Sequence, residues 1–471
     1  NTPPMISSVE GTLGDISVDV IGYGTPANLD GALLNALATD HGGRYAQGDT
    51  SLQLEKFFAQ AFGNIFEAGL LMDPEFDLPV NQDAKPIPFN VCGEEQLTIV
   101  LGWDNPTAML LMRVRTPLGN TIAGTTAGVQ QQTGRTWTFL RIPLPQGRER
   151  DGSWQVEVFR PTGGGEFPPP APNLRFFVNV VASGGAIIRR KPDSAVYYTG
   201  DTYNPRVQLQ YLKGGPPPNP AVQVIMTRPN QSLGSLLAKA RIGAPVSIHG
   251  DTIPPRQATL GKLEAEQGRS LIGSSVITLD LDDSPANNDG AFIAAGHFGL
   301  VSADLLTVDG EYGFRARATY GKGCTSTRET VWGLHVEVGI DPNHSEFSVD
   351  DTGTGPGGRR IGRMTIMPGD KYGNKLGPGR ADAISASGGS GTTITGPIVD
   401  NGDGTYTVSV LWEPGSGPSV VLAQPGRSPV VVTPPSNGDH DHWMKRCWWL
   451  IVLALLIGLL VGLLISNLIG H

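Results

Sequence analysis

The chain lacks most of what would mark an enzyme. No GxSxG elbow, HExxH helix or Walker loop occurs in its 471 residues, so the common routes to an activated serine, a catalytic zinc or a bound nucleotide are missing. Cysteine is scarce, with only 3 residues. No CxxC or Cys/His spacing suggests a zinc site. Basic residues are outnumbered, the formal net charge being −9, and no basic patch is present. That argues against a nucleic-acid partner, which requires phosphate-neutralising charge. The chain opens at Asn1 with neither a methionine nor a signal peptide, and the reading is that it starts inside a domain.

Glycine (63) and proline (38) are abundant and evenly spread, with apolar runs between them. This pattern suits many short strands joined by turns. The length suggests roughly three or four domains. The expected fold class is therefore multidomain and mainly β, with one α/β segment at the start and one transmembrane helix at the end.

The α/β segment is residues 1–73. Ile16–Gly24 reads as a strand ending in a glycine turn. Leu29–Thr39 carries helical apolar spacing and is stopped by Gly42-Gly43. Arg44–Ala46 reads as a short strand, and Leu52–Leu71 as a helix with Leu54, Phe57, Phe58, Ala61, Phe62, Ile65 and Phe66 on its apolar side. The run VDVIGYGTPANLDGALLNALATDHGGRYAQGD resembles the C-terminal part of a von Willebrand factor A domain, a Rossmann-like α/β fold. The resemblance implies a divalent metal, Mg²⁺ or Ca²⁺, held in the intact domain by a DxSxS motif and later loops. Those positions would precede Asn1, so no cofactor is assigned to this chain. Asp350-x-Thr352-x-Thr354 mimics the motif but lies between later modules. A piece of such a domain would leave Leu33–Leu37 and Phe57–Phe66 partly uncovered unless they dock on the next module.

Residues 77–181 read as a β-sandwich, with strands at Leu97–Leu101, Leu110–Arg115, Trp137–Ile142 and Trp154–Phe159. Residues 182–340 read as an immunoglobulin-like sandwich, with Leu233–Ala240 a short helix or a loop. Residues 341–434 form a third β module. Its MTIMPGDKYGNKLGPG and VDNGDGTYTVSVLW runs resemble filamin-type and bacterial immunoglobulin-like domains. Asn401-Gly402 and Asp403-Gly404 favour the positive φ of a tight hairpin, after which Tyr406, Val408 and Val410 alternate towards a core.

A linker (435–446) leads to 447–469, where Cys447–Ile465 carries neither charge nor proline. Its 19 residues would make a helix of ~28 Å, close to a bilayer's hydrocarbon thickness. Trp443, Lys445, Arg446, Trp448 and Trp449 would sit at the membrane interface. Ala454, Gly458, Gly462 and Ser466 recur every four residues and would form a helix–helix face supporting a homodimer. The flanking Lys445 and Arg446 favour a cytoplasmic soluble part, whereas the domain types favour an extracytoplasmic one.

Few residues suggest ligation. Asp280, Asp282, Asp283, Asn288 and Asp289 are closely spaced oxygen donors suited to Ca²⁺, or else an ordinary polar loop between strands. Asp439–His442 could hold a transition metal, and Asn230-Gln-Ser232 and Asn343-His-Ser345 are formal glycosylation sequons. Cys92 and Cys324 can pair only if the fold brings them together, and separate buried thiols are the simpler expectation.

The order of modules resembles that of surface adhesion proteins and calcium-activated chloride channel regulators. This implies a non-enzymatic, membrane-anchored protein that binds a protein ligand through its head and membrane lipid through its last helix, with the β modules as a stalk. A scaffold subunit assembled through the membrane helix is the alternative, and an enzyme with its catalytic domain ahead of Asn1 a third.

Overall fold

The structure is a computed structural model that describes residues 16–433, apart from 25–28, 66–68, 81–83, 162–172, 191–193, 195, 241–245, 249–250, 254, 284–295, 301 and 303. Among the described residues it is a mainly β, multi-sheet protein with four short α-helices, α1 (Gly31–Asp40), α2 (Ser51–Ile65), α3 (Leu233–Leu237) and α4 (Pro255–Gln267).

Among the described residues three large apolar cores follow one another along the chain. The first is built by alternation: Leu97, Ile99 and Leu101 point inward from one sheet and Trp154, Val156 and Val158 from the other, all fully buried. One sheet contains Gln96–Trp103, Trp137–Pro143 and Leu174–Ser183; the facing one contains Ala84–Val91, Gly152–Phe159 and Leu111–Arg115. The second core lies around Phe314, Trp332 and Tyr203, with Phe314 stacked on Trp332 at 5.3 Å. Its main strands are Ala221–Pro229, Ser274–Asp283, Gly310–Tyr320 and Ser326–Glu337. The third core packs Met364, Tyr406, Val408 and Val410 against Val420 and Leu422, between sheets of five and three strands.

The first two modules share a ladder. Gly69–Met72 pairs with Leu174–Ser183 on one side and, through Leu70 opposite Glu329, with Ser326–Glu337 on the other. The junction is also covalent. Cys92 and Cys324 are disulfide-bonded, with Cα atoms 5.8 Å apart across a sequence separation of 232. The expectation of two separate thiols is therefore corrected: the fold supplies the proximity that sequence distance concealed.

The von Willebrand factor A reading is corrected as well. Val20–Tyr23 and Tyr45–Gly48 form a parallel pair, with α1 and α2 following each strand. Among the described residues this pair is a sheet of two strands only, so no Rossmann-like layer exists for the helices to cover. They pack on the β modules instead. Leu52 and Ala59 of α2 bury against Phe177 of the first module, and α1 and Tyr45–Gly48 lie on Ser326–Glu337 of the second. The buried face of α2 is accordingly rotated from the expected one. Phe58 is 54% exposed, while Lys56 and Gln60 are buried.

The single-pass membrane anchor is likewise withdrawn. Among the described residues no helix is long and apolar enough to cross a membrane, and the run 447–469 lies outside them.

Candidate functional site: a cleft under the N-terminal unit

The parallel pair and α2 do not sit flush on the second module. Between them lies a cleft of about 550 Å³, within the size range of sites for small ligands. Its floor is the outer face of the second-module sheet, where Gly313 stands directly opposite Gly333. A Cβ at Gly313 would meet only Thr227, at 3.9 Å, so the floor there is bare backbone. Ile21, Gly48 and Phe57 form the roof. The two ends are polar.

At one end, α2 brings Lys56 to Asp73, which leaves the strand Gly69–Met72. Lys56 Nζ lies 3.2 Å from Asp73 Oδ2 and 2.9 Å from Glu75 Oε1. Arg315 Nη2 reaches Asp73 Oδ2 at 3.3 Å, and its Nη1 reaches Glu329 Oε2 at 3.1 Å. Gln60 Nε2 donates to Asp73 Oδ2, and Asn179 Nδ2 lies 3.4 Å from Oδ1. Burial pushes the Asp73 and Glu329 carboxyls above the usual range, and Lys56 and Arg315 hold back part of that rise.

At the other end His335 bridges two carboxylates. Nδ1 is 2.5 Å from Glu311 Oε1 and Nε2 is 2.8 Å from Glu337 Oε1. Burial alone would lower the imidazole pKa, but Glu311 and Glu337 outweigh it and raise it to about 10. The ring is thus a cation donating from both nitrogens at neutral pH. Arg380 of the third module reaches the same Glu337 oxygen at 2.6 Å, and His335 with Arg380 takes the Glu337 carboxyl down to about 2 against the opposing effect of burial. Gly31, the first residue of α1, fits over this group because it lacks a side chain: a Cβ there would fall 1.7 Å from Glu311 Oε1.

The junction of the first two modules carries its own ion pair. Arg328 Nη2 lies 2.8 Å from Glu94 Oε1 with both side chains fully buried. Ser326 Oγ donates to the same oxygen at 2.9 Å, the Cys92 N–H donates to Oε2, and Arg328 Nε donates to the Ala186 carbonyl. Burial works to raise the Glu94 pKa, and Arg328 with these donors outweighs it and holds the carboxyl below its ordinary value. In all three clusters the titratable groups face one another, so each serves as a counter-ion within the fold.

The residues proposed for Ca²⁺ are placed differently from a loop. Asp280, Asp282 and Asp283 belong to the strand Ser274–Asp283, where alternation sends Asp283 to the opposite face from the other two. Gln223 Nε2 donates to Asp280 Oδ1 at 2.8 Å. Asn288 and Asp289 lie outside the described residues, as do Trp443, Lys445, Arg446, Trp448, Trp449, Ala454, Gly458, Gly462, Ser466 and the Asp439–His442 run. Among the described residues no group of three or more His, Cys, Asp or Glu is placed to hold a metal. Asp350, Thr352 and Thr354 form part of the edge strand Glu346–Thr354, and Ser232 caps α3 by accepting from Ser235 N.

Sequence reasoning missed the cleft and both of its ends. The available signal was a charged pair, Glu311 and His335, on strands of the second module; Lys56 falls on the side of its helix opposite the apolar stripe and reads as solvated.

No protein-family model matches the chain, and no curated protein matches it. Among solved structures it is similar to a DUF4785 family protein from Legionella pneumophila, at 8% identity and a TM-score of 0.32 over 79% of this chain and 81% of that one. It is similar to invasin, a bacterial integrin-binding protein, at 12% identity and a TM-score of 0.23 over 77% of this chain and 60% of that one. Domains 5–6 of the surface-layer protein SbsC match at 13% identity and a TM-score of 0.13, over 52% of this chain and 97% of theirs. These likenesses are too distant to carry an argument about function.

Proposed function

We propose that the protein is a non-enzymatic, β-rich binding protein of the adhesion or surface type, in which coupled β modules present a ligand-binding face. The observation that carries this reading is the junction of the first two modules. A disulfide, a fully buried ion pair and a shared ladder fix two sandwiches to each other. Such fixing suits a part that must hold a binding surface in place, and it leaves little of the relative motion by which many multidomain enzymes open and close around substrate. A disulfide of this kind persists in oxidising compartments, which supports a place beyond the reducing cytosol. The mutual pairing of the cleft's charged groups supports binding over catalysis.

The cleft is the proposed seat of the ligand, a segment of a partner protein. The test is attachment. The full chain, coated on a surface, is compared with an unrelated β-sandwich protein for retention of cells and of matrix proteins. Saturable retention that Gly313→Phe abolishes is expected, since this change fills the cleft floor where the space is open. Retention no better than the control protein would overturn the function, and retention unaffected by Gly313→Phe would move the site elsewhere.

A further inference from the structure

Cys92 directly follows the strand Ala84–Val91 of the first module, and Cys324 lies in the turn between Gly310–Tyr320 and Ser326–Glu337 of the second. Between them in sequence lie Gln96–Trp103, Trp137–Pro143, Gly152–Phe159 and Leu174–Ser183, then Ala221–Pro229, Ser274–Asp283 and Gly310–Tyr320. Most of two cores is therefore enclosed in one covalent loop.

We infer that this bond makes the protein a tension bypass. A pull applied between a point before Cys92 and a point after Cys324 runs along the strand 84–91, through the two sulfurs, and into the strand 326–337. Residues 93–323 are left out of that path. The buried contacts act in parallel with the sulfurs. Glu94 is two residues from Cys92 and Arg328 four from Cys324, and the two side chains are 2.8 Å apart. Arg328 also donates to Ala186 O, at the entry to the second module. Shear at the junction therefore meets an ion pair and its hydrogen bonds before it loads the disulfide alone. The third module, whose core spans Val338 to Val432, lies outside the loop and carries the full pull.

The use of such a bypass rests on the adhesion reading, because an adhesive protein is stretched by what it holds. The topology itself does not rest on it. A chain enclosed in this way can surrender roughly 800 Å of length at ~3.3–3.6 Å per residue only when the bond is broken.

The test is single-molecule stretching of the full chain by handles at its two ends, before and after treatment with a phosphine. That reagent leaves two thiols and a phosphine oxide, the oxygen coming from water. Before treatment, unfolding of the third module is expected to give roughly 300 Å, with the length of residues 93–323 withheld. After treatment that length, roughly 800 Å, appears as an additional gain. The third module is the internal sign that the molecule was pulled through its fold. Release of the enclosed length from untreated protein would overturn the inference, and so would its absence after treatment. Cys92→Ala with Cys324→Ala should reproduce the treated traces; if that variant does not fold, treatment of the folded protein decides alone. Stretching reads topology and cell attachment reads adhesion, so failure of one is distinguishable from failure of the other.

Discussion

Arg328 Nη2 and Glu94 Oε1 stand 2.8 Å apart with no solvent reaching either side chain, and they belong to different β modules. A pair this deep is sensitive to the loss of one member, because the survivor becomes an uncompensated buried charge.

Glu94→Gln or Arg328→Met alone should therefore lower stability by about 3–5 kcal/mol. Changing both at once, Glu94→Met with Arg328→Met, should recover most of that loss. Urea unfolding of the three variants measures it. The Glu94 pKa is held below its unfolded value, so its contribution is present above the unfolded value and is lost as pH falls through the folded one. Glu94→Gln should flatten that acid limb.

His335 gives the opposite sign. Its folded pKa of about 10 exceeds an unfolded value near ~6.5. Its contribution is fully present below the unfolded value and declines as pH rises towards about 10. Glu337, taken down to about 2, contributes above its ordinary value and loses that contribution as pH falls towards about 2. Melting temperatures across pH 3–10 should show a plateau that slopes away on both sides. His335→Gln should remove the alkaline slope and lower the plateau, by about 3–5 kcal/mol for Glu311 left without its cation, while Glu337 keeps Arg380.

Gly102 tests the docking of α2. A Cβ there would come within 2.3 Å of Phe177 Cε1, and Phe177 is the side chain on which Leu52 and Ala59 pack. Gly102→Ala should cost about 1–3 kcal/mol by forcing Phe177 aside. Amide exchange should quicken across Ser51–Ala61 and stay unchanged across Tyr406–Trp412.

Asp370 tests the turn of the third module. It is 1% exposed and accepts from the Tyr372 and Asn374 N–H groups and from Asn374 Nδ2. Asn374 in turn donates to Thr307 O of the second module at 2.8 Å. Asp370→Ala should lower stability by about 1–3 kcal/mol through the donors left unsatisfied. Asp370→Asn should restore part of it in a calorimetric scan.

Local chemistry was legible in the sequence where it acts over a few residues. The alternation at Leu97, Ile99 and Leu101 announces a strand, and Gln96–Trp103 is one. Gly402 and Gly404 take φ of +76° and +86°, as the turn at 401–404 required. Gly42-Gly43 ends α1, with Gly42 at φ +66°. What escaped is long-range. Lys56 reads as an ordinary solvated lysine on the polar side of its helix until the fold buries it beside Asp73. The likeness of residues 18–49 to an A domain followed from a real strand–helix–strand order. A local pattern, however, cannot say how many strands will join the pair or what its helices will rest on. The cysteines were beyond reach for the same reason: nothing near Cys92 points to Cys324.

The seat of Gly31 over Glu311 and His335 also sets a timetable. The segment carrying α1 leaves the ribosome well before the surface that α1 rests on. At ~5–20 residues per second, synthesis needs roughly 15–60 s to pass from Gly31 to Glu311. For that interval α1 has no finished seat, whereas α2 meets Phe177 of the first module sooner. α1 thus waits through the synthesis of both the first and most of the second module before its resting surface exists.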